Sequence, residues 1–176
     1  MVPMKVLGIA GFSGSGKTTL IERTIPVLVQ AGLRVSLIKH AHHAFDVDQP
    51  GKDSYRHRHA GCTEVLVSSG NRWALMHELR GAPEAEMEAL VARMTPVDLL
   101  LIEGFKHHAH DKLEIFRRDV GKPLLCVSDP RIVAVASDGA VPEARVPVID
   151  LDDTRAIADF IAAHCGLAKR KARGAA

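Results

Sequence analysis

Uninterrupted apolar runs alternate along the chain with stretches in which apolar residues recur every three or four positions. Continuous runs of this kind predict buried strands, and the helical spacing predicts amphipathic helices. Strands are predicted for residues 5–10, 34–39, 98–103, 113–116, 124–128 and 132–137. Helices are predicted for residues 16–31, 54–60, 84–94 and 154–165.

The order of these elements predicts the fold class. Strands that alternate with helices pair in parallel through right-handed crossovers, which indicates an α/β protein with a mostly parallel sheet flanked by helices. Residues 63–68 and 72–77 are two further predicted strands, separated only by Ser69-Gly70-Asn71. A hairpin of these two strands is the alternative to parallel pairing, and it would make the sheet mixed.

Length and composition indicate one domain of a cytoplasmic protein. The 176 residues predict a single domain over residues 1–166, followed by a basic tail over residues 167–176 that we expect to be disordered. The three cysteines lie far apart and form no CxxC pair, which favours reduced thiols in the cytoplasm. The net charge of +2 is too small to indicate nucleic-acid binding, and no apolar run is long enough to span a membrane.

A glycine-rich segment follows the first predicted strand. Residues Gly11–Thr18, GFSGSGKT, match the P-loop pattern G-x-x-x-x-G-K-[ST] in full, between a predicted strand and a predicted helix. Small residues let backbone N–H groups point at phosphate, and the first helical turn adds unsatisfied N–H groups and a positive dipole end. The predicted nucleotide-binding residues of this P-loop NTPase fold are Ser13, Gly14, Ser15, Gly16, Lys17, Thr18 and Thr19.

A magnesium site accompanies the phosphates in proteins of this kind. The Thr18 hydroxyl is placed to ligate Mg²⁺, and a carboxylate should complete the protein's share of the ligands. The predicted strand DLLLIE begins with Asp98 and ends with Glu103. Because ligands bind at the carboxyl ends of parallel strands, Glu103 is the predicted metal partner and Asp98 is assigned a structural role.

A loop rich in histidine and aspartate follows the second predicted strand. Asp46 and Asp48 are the candidates in it for orienting a catalytic water. His40, His42 and His43 lie in this loop, and His107, His108 and His110 follow Glu103. Imidazole clusters suit a transition metal, an anionic ligand or solvent, and the sequence leaves these three interpretations open.

Several segments together resemble the MobB family, the molybdopterin-guanine dinucleotide biosynthesis adapter proteins. These are GFSGSGKTTL, IKHAHHAFDVDQPGKDSYR, AGCTEVLVSS, RWALM, LLLIEGFK and IVAVASD, over about residues 5–162. The resemblance implies a GTP-binding, weakly hydrolysing homodimer that uses Mg²⁺. It also implies an adapter for the enzyme that joins a guanine nucleotide to molybdopterin, with a contact to the molybdenum cofactor itself as a further implication.

Guanine recognition has no recognisable motif. The chain has a single asparagine, Asn71, and no N-K-x-D sequence. Ser137 and Asp138, after the apolar run IVAVA of the last predicted strand, are the candidates for contacting the base.

Two other P-loop functions compete with the adapter. A small-molecule kinase would need an acceptor-site base and an arginine-rich lid, whereas Arg56, Arg58 and Arg72 are scattered and indicate no lid. The histidines suggest a metallochaperone GTPase that inserts nickel, but no cysteine-bearing metal motif accompanies them. No arginine finger or water-positioning glutamine is identifiable, which predicts slow hydrolysis.

Overall fold

The computed structural model describes residues 4–41, 45–105 and 108–167. The chain divides into two compact units, residues 1–40 together with 91–176, and residues 41–90. The predicted single domain over residues 1–166 stays a prediction, and the predicted tail lies outside the described residues from residue 168 onward. The strands are β1 (Lys5–Ala10), β2 (Val35–Lys39), β3 (Glu64–Ser68), β4 (Trp73–His77), β5 (Leu99–Glu103), β6 (Lys112–Phe116), β7 (Ile132–Ser137) and β8 (Val148–Asp150). The α-helices are α1 (Lys17–Gln30), α2 (Asp53–His59), α3 (Met87–Arg93) and α4 (Thr154–His164).

The larger unit is built on a six-stranded sheet with the order β2-β5-β1-β6-β7-β8. Every neighbouring pair in this sheet is parallel, as the alternation of strands and helices predicts. The six strands therefore end at one edge of the sheet. In the register of the sheet, Ile9 and Lys39 both lie beside Glu103, and Phe116 lies beside Ser137.

The core lies between the sheet and helices α1 and α4. Alternate residues of β1, Leu7 and Ile9, are buried against apolar side chains that include Leu28 of α1 and Ile157 of α4. Strand β5 is buried along its whole length, as its continuous apolar run predicts for an interior parallel strand. Asp153 caps α4, because its carboxylate accepts a hydrogen bond from the Ala156 N–H.

One predicted strand is wrong. Residues 124–128 form a 3₁₀ turn over Leu125–Val127 instead of a strand. The N–H groups of Leu125 and Cys126 donate to the two carboxylate oxygens of Glu114, at 2.7 and 2.8 Å, and so do not form a strand ladder. Glu114 is 1% exposed, and its burial raises the pKa of its carboxyl group. Strand β8, with only three residues, was not predicted because its apolar run is too short.

Residues 41–90 contain the predicted hairpin. Strands β3 and β4 pair antiparallel and form a separate two-stranded sheet, so the hairpin is confirmed and the mixed sheet is wrong. Helix α2 precedes the hairpin and has no buried residue. Among the residues described, no helix combines the length and the hydrophobicity that crossing a bilayer requires.

Candidate nucleotide-binding site

The segment Gly11–Thr18 connects the carboxyl end of β1 to helix α1, as its pattern predicts. Gly11, Gly14 and Gly16 all have positive φ angles, of 143°, 83° and 94°. A side chain at Gly11 would in addition place its Cβ 2.7 Å from both the Ile115 carbonyl oxygen and Ser15 Oγ. The glycines are therefore required by the loop's conformation, which brings bare backbone to the surface.

The amino end of α1 is suited to an anion. Gly16 is the N-cap, no side chain of the described residues caps the helix, and the first turn contains no acidic residue. The first N–H groups of the helix and its positive dipole end consequently face the loop, where they can bind an anion. Ser15 Oγ is buried and has no hydrogen-bond partner in the part of the chain that the structure describes, while the Ser15 N–H donates to the Phe12 carbonyl at 3.2 Å. Ser13, Gly14 and Thr19 are exposed.

Lys17 lies at the first position of α1. Its ammonium group donates to the carbonyl oxygens of Gly11 and Phe12, both at 2.9 Å. These bonds hold the positive charge over the loop. An incoming phosphate can replace the carbonyls as the acceptor, because a charged acceptor makes a stronger bond than a neutral one.

Thr18 and Glu103 meet, although they are far apart in the sequence. The Thr18 hydroxyl donates to Glu103 Oε1 at 3.2 Å, and Lys39 Nζ lies 3.5 Å from the other carboxylate oxygen. Glu103 is 8% exposed. A hydroxyl and a carboxylate are oxygen ligands of the kind that Mg²⁺ prefers. A cation bound there would neutralise the negative charge of Glu103, which Lys39 now balances. Asp98, at the opposite end of β5, accepts hydrogen bonds from Arg34, in agreement with its predicted structural role.

The two histidine clusters approach each other around Phe105. The Phe105 ring centroid lies 4.5 Å from that of His40 and 5.0 Å from that of His108. Gly104 makes this possible, since its φ is 102° and a Cβ would lie 2.7 Å from the Cβ of His40. His42, His43 and His107 lie outside the described residues.

His110 is set apart from this group. Both ring nitrogens are buried and have no hydrogen-bond partner among the described residues, and the ring occupies the space that a side chain at Gly8 would need. Burial, followed by the positive charge of Lys112, lowers the pKa of His110 to about 4. The ring is therefore neutral at physiological pH. It also stays neutral in mild acid, where an exposed histidine would take up a proton.

Asp46 and Asp48, the candidates for orienting water, bind an arginine. Arg58 lies 2.7 Å from Asp46 Oδ2, 3.2 Å from Asp48 Oδ2 and 2.7 Å from Glu78 Oε1. Hydrogen bonds from Arg58 lower the pKa of Asp46. Burial alone would raise the pKa of Asp48, but hydrogen bonds from Ser54, the Gln49 N–H and Arg58 together lower it. Both carboxylates are thus ionised and engaged, and their catalytic role stays a prediction.

Ser137 is the last residue of β7 and Asp138 follows it, at the same edge of the sheet as the P-loop. Ser137 Oγ accepts the Gly139 N–H at 3.3 Å and so supports the turn after the strand. Asp138 Oδ2 accepts a hydrogen bond of 2.6 Å from Arg117 Nη1, and Arg117 Nε donates to the Ser15 carbonyl at 3.2 Å. Sequence reasoning missed Arg117. Its position directly after the predicted strand 113–116 was the available signal, since sites lie at the carboxyl ends of parallel strands.

Known proteins of one family are similar to this chain. The family model described as "Molybdopterin guanine dinucleotide synthesis protein B" matches residues 6–138. The "Molybdopterin-guanine dinucleotide biosynthesis adapter protein" of Escherichia coli is 45% identical over 165 residues, which cover 92% of each chain. The protein of that name from Haemophilus influenzae is 41% identical over 156 residues, covering 89% of this chain and 86% of the relative.

Solved structures have the same fold. A crystal structure of "molybdopterin-guanine biosynthesis protein B (mobB)" superposes with a TM-score of 0.69 at 25% identity, covering 90% of this chain and 99% of the other. The crystal structure of Bacillus subtilis MobB superposes with a TM-score of 0.71 at 23% identity, covering 98% and 100% of the two chains. The glycine loop, the parallel sheet and these similarities together show that the chain belongs to the MobB family of molybdopterin guanine dinucleotide biosynthesis proteins.

Proposed function

We propose that this protein is a cytoplasmic GTP-binding adapter with slow intrinsic GTPase activity, acting in biosynthesis of the guanine dinucleotide form of the molybdenum cofactor. The contact of Thr18 with Glu103 beside the uncapped end of α1 is the observation that carries this proposal. It brings a hydroxyl, a carboxylate and an anion-binding helix end together, which is the combination that a magnesium–nucleoside triphosphate complex requires.

Phosphate binding rests on the loop and on Lys17. The exposed backbone of Ser13 and Gly14 and the first turn of α1 supply N–H donors, and Lys17 supplies a charge for the terminal phosphates. Thr18 would bind Mg²⁺ directly, and Glu103 directly or through a water molecule. The cation would neutralise charge on the phosphates.

Guanine recognition is assigned to Asp138. Its carboxylate lies at the carboxyl end of β7. In the sheet, β6 lies between β7 and the P-loop strand β1. A carboxylate accepts hydrogen bonds only, so it complements the N1–H and 2-amino donors of guanine and opposes the N1 acceptor of adenine. Ser137 contributes through the turn that carries Asp138.

Hydrolysis should be slow. Asp46 and Asp48 are the residues proposed to orient water, but hydrogen bonds lower the pKa of both carboxyl groups and weaken them as bases. Those to Asp46 come chiefly from Arg58, and those to Asp48 come from Ser54, the Gln49 N–H and Arg58. Slow turnover suits an adapter whose nucleotide state is read by another protein.

The proposed protein partners are a second copy of this chain and the enzyme that transfers the guanylyl group to molybdopterin. The relatives from Escherichia coli and Haemophilus influenzae are named adapter proteins of this biosynthesis.

In the two-stranded sheet, Leu66 lies directly opposite Leu75, and the two are 59% and 43% exposed. Trp73 on the same face is 64% exposed. An isolated hairpin is marginally stable, and a second copy would cover this face. A contact with the molybdenum cofactor is a further part of the proposal.

Calorimetric titration with GTP, GDP and ATP, with and without Mg²⁺, tests nucleotide binding. GTP should bind most tightly and only reach full affinity with Mg²⁺. Co-purification with the guanylyltransferase in GTP and in GDP then tests the adapter role. Equal affinity for ATP and GTP would contradict the guanine assignment, and phosphate transfer to a small acceptor would favour a kinase.

A further inference from the structure

Arg117 joins the two ends of the proposed nucleotide site. It directly follows β6, which lies between the P-loop strand β1 and the Asp138 strand β7. Phe116 and Ser137 are neighbours in the register of β6 and β7, so that the residues after them, Arg117 and Asp138, leave the sheet side by side. The position of Arg117 is thus a consequence of strand order and not of local sequence.

The guanidinium group uses different nitrogens for its two contacts. Nη1 donates to Asp138 Oδ2 at 2.6 Å, and Nε donates to the Ser15 carbonyl at 3.2 Å. The side chain also passes Gly16, because a Cβ there would lie 3.7 Å from Arg117 Nε. Since the guanidinium is planar, binding Ser15 through one nitrogen fixes the direction in which another meets Asp138.

The remaining acceptor capacity of Asp138 is what a base would use. The two oxygens of a carboxylate offer about four lone-pair positions, and Arg117 takes one of them on Oδ2. The side chain of Asp138 is 34% exposed, so its other positions are accessible. A carboxylate that is held at one oxygen loses less conformational freedom when it binds two donors of a base.

We propose that Arg117 is a positioning residue for guanine specificity, which orients Asp138 by anchoring it to the Ser15 carbonyl of the P-loop. This inference rests on the proposed GTP binding. Arg117 acts through Asp138 and contributes to discrimination among bases, whereas Lys17 and Thr18 bind the phosphates and the metal. A neighbouring arginine, Arg118, is 62% exposed at its side chain and contacts Ala140 and Glu143 instead.

The test compares GTP with inosine triphosphate, which differs from GTP only in lacking the 2-amino group. One hydrogen bond to a carboxylate separates the two ligands, so GTP should bind about tenfold more tightly to the wild-type protein. In Arg117→Gln this preference should fall to about threefold or less. The affinity for magnesium tripolyphosphate, which has no base, should change less than threefold. Arg118→Gln is the matched control and should keep the wild-type preference.

A double-mutant cycle shows whether Arg117 acts through Asp138. Asp138→Asn should remove the preference for GTP over inosine triphosphate, and adding Arg117→Gln to it should change the ratio no further. Arg117→Lys should retain part of the preference, because an ammonium can pair with Asp138 but cannot hold Ser15 in the same plane. This variant also provides a readout if thermal unfolding shows that Arg117→Gln does not fold.

The outcomes separate the two proposals. A wild-type preference for GTP that persists in Arg117→Gln overturns the role of Arg117 and leaves GTP binding intact. An equal loss of affinity for GTP, inosine triphosphate and tripolyphosphate also overturns it, because Arg117 would then act on the phosphate loop. A wild-type protein with no preference for GTP overturns the guanine assignment of Asp138 together with the role of Arg117.

Discussion

The Thr18 hydroxyl donates to Glu103 Oε1 across 3.2 Å, and this bond joins the first turn of α1 to the end of β5. The two residues are 85 positions apart in the sequence. They meet because β1 and β5 are parallel neighbours, with Ile9 beside Glu103, so that the P-loop begins next to this carboxylate. Their oxygens are the proposed ligands for the magnesium ion of a bound nucleotide.

Glu103→Gln should weaken nucleotide binding in the presence of Mg²⁺ by about tenfold, because it removes a charge that a hard cation prefers. Binding without Mg²⁺ should change little. Calorimetric titration in magnesium and in EDTA measures both affinities. Glu22→Gln, at an exposed position of α1, is the control. An equal loss in both conditions would show that Glu103 acts only as a structural partner of Thr18 and Lys39.

Lys17→Ala should lower the affinity for GTP by about ten- to a hundredfold, the range expected for one charge-assisted contact. The variant should fold, since the Lys17 ammonium group donates to backbone carbonyls of the loop, those of Gly11 and Phe12, and is not part of the apolar core. Circular dichroism checks the fold, and fluorescence titration measures the affinity for GTP. Lys122→Ala removes an exposed lysine and should bind normally. Unchanged affinity in Lys17→Ala would contradict phosphate binding by the P-loop.

The purified protein should hydrolyse GTP at about 10⁻⁴ to 10⁻² per second, as nucleotide switches do without full catalytic assistance. Asp46→Asn and Asp48→Asn should slow this turnover if the carboxylates orient water. If they serve only to bind Arg58, the variants should lower the unfolding temperature and leave the turnover per folded molecule unchanged. A steady-state rate near 1 per second would contradict the adapter function, since working enzymes turn over at that rate.

Acid should destabilise the protein through His110. The folded state holds the pKa of His110 at about 4, whereas an unfolded histidine titrates near about 6.5. Stability is therefore lost as the pH falls from about 6.5 towards 4, because the unfolded chain takes up the proton first.

The free energy of unfolding should fall through this residue by an amount on the order of 2 kcal/mol, after allowance for partial exposure of the ring. Urea unfolding of wild type and His110→Gln at pH 7 and pH 4.5 measures it as the difference between their pH dependences. His57→Gln, at an exposed position of α2, should behave as wild type. Parallel pH dependences of wild type and His110→Gln would contradict the prediction.

Leu66→Glu should convert a dimer into a monomer if the exposed face of the hairpin forms the contact with a second copy. The substitution places a charge directly opposite Leu75 in the middle of the apolar face. Light scattering after size-exclusion chromatography gives the molar mass. Val127→Glu is the control, because Val127 is 70% exposed in a different part of the chain. A wild-type monomer, or a dimer that survives Leu66→Glu, would exclude this interface.

Local pattern in the sequence was sufficient for most of the secondary structure and for the phosphate loop. Apolar runs identified β1, β5 and β7, since interior parallel strands are buried on both faces. The pattern of Gly11–Thr18 was sufficient because its glycines are required locally, by positive φ angles. The choice of Glu103 over Asp98 followed from the rule that sites lie at the carboxyl ends of parallel strands.

Contacts between distant segments were decided only by the tertiary structure. Residues 124–128 have the composition of a strand. The buried Glu114 carboxylate, however, accepts hydrogen bonds from the N–H groups of Leu125 and Cys126, and the segment forms a turn. Arg117 gains its place between Ser15 and Asp138 from the order of β1, β6 and β7, which no local pattern encodes. Hydrophobic periodicity determines which segments become strands and helices. The packing of those elements determines which strands become neighbours, and therefore which side chains meet at their ends.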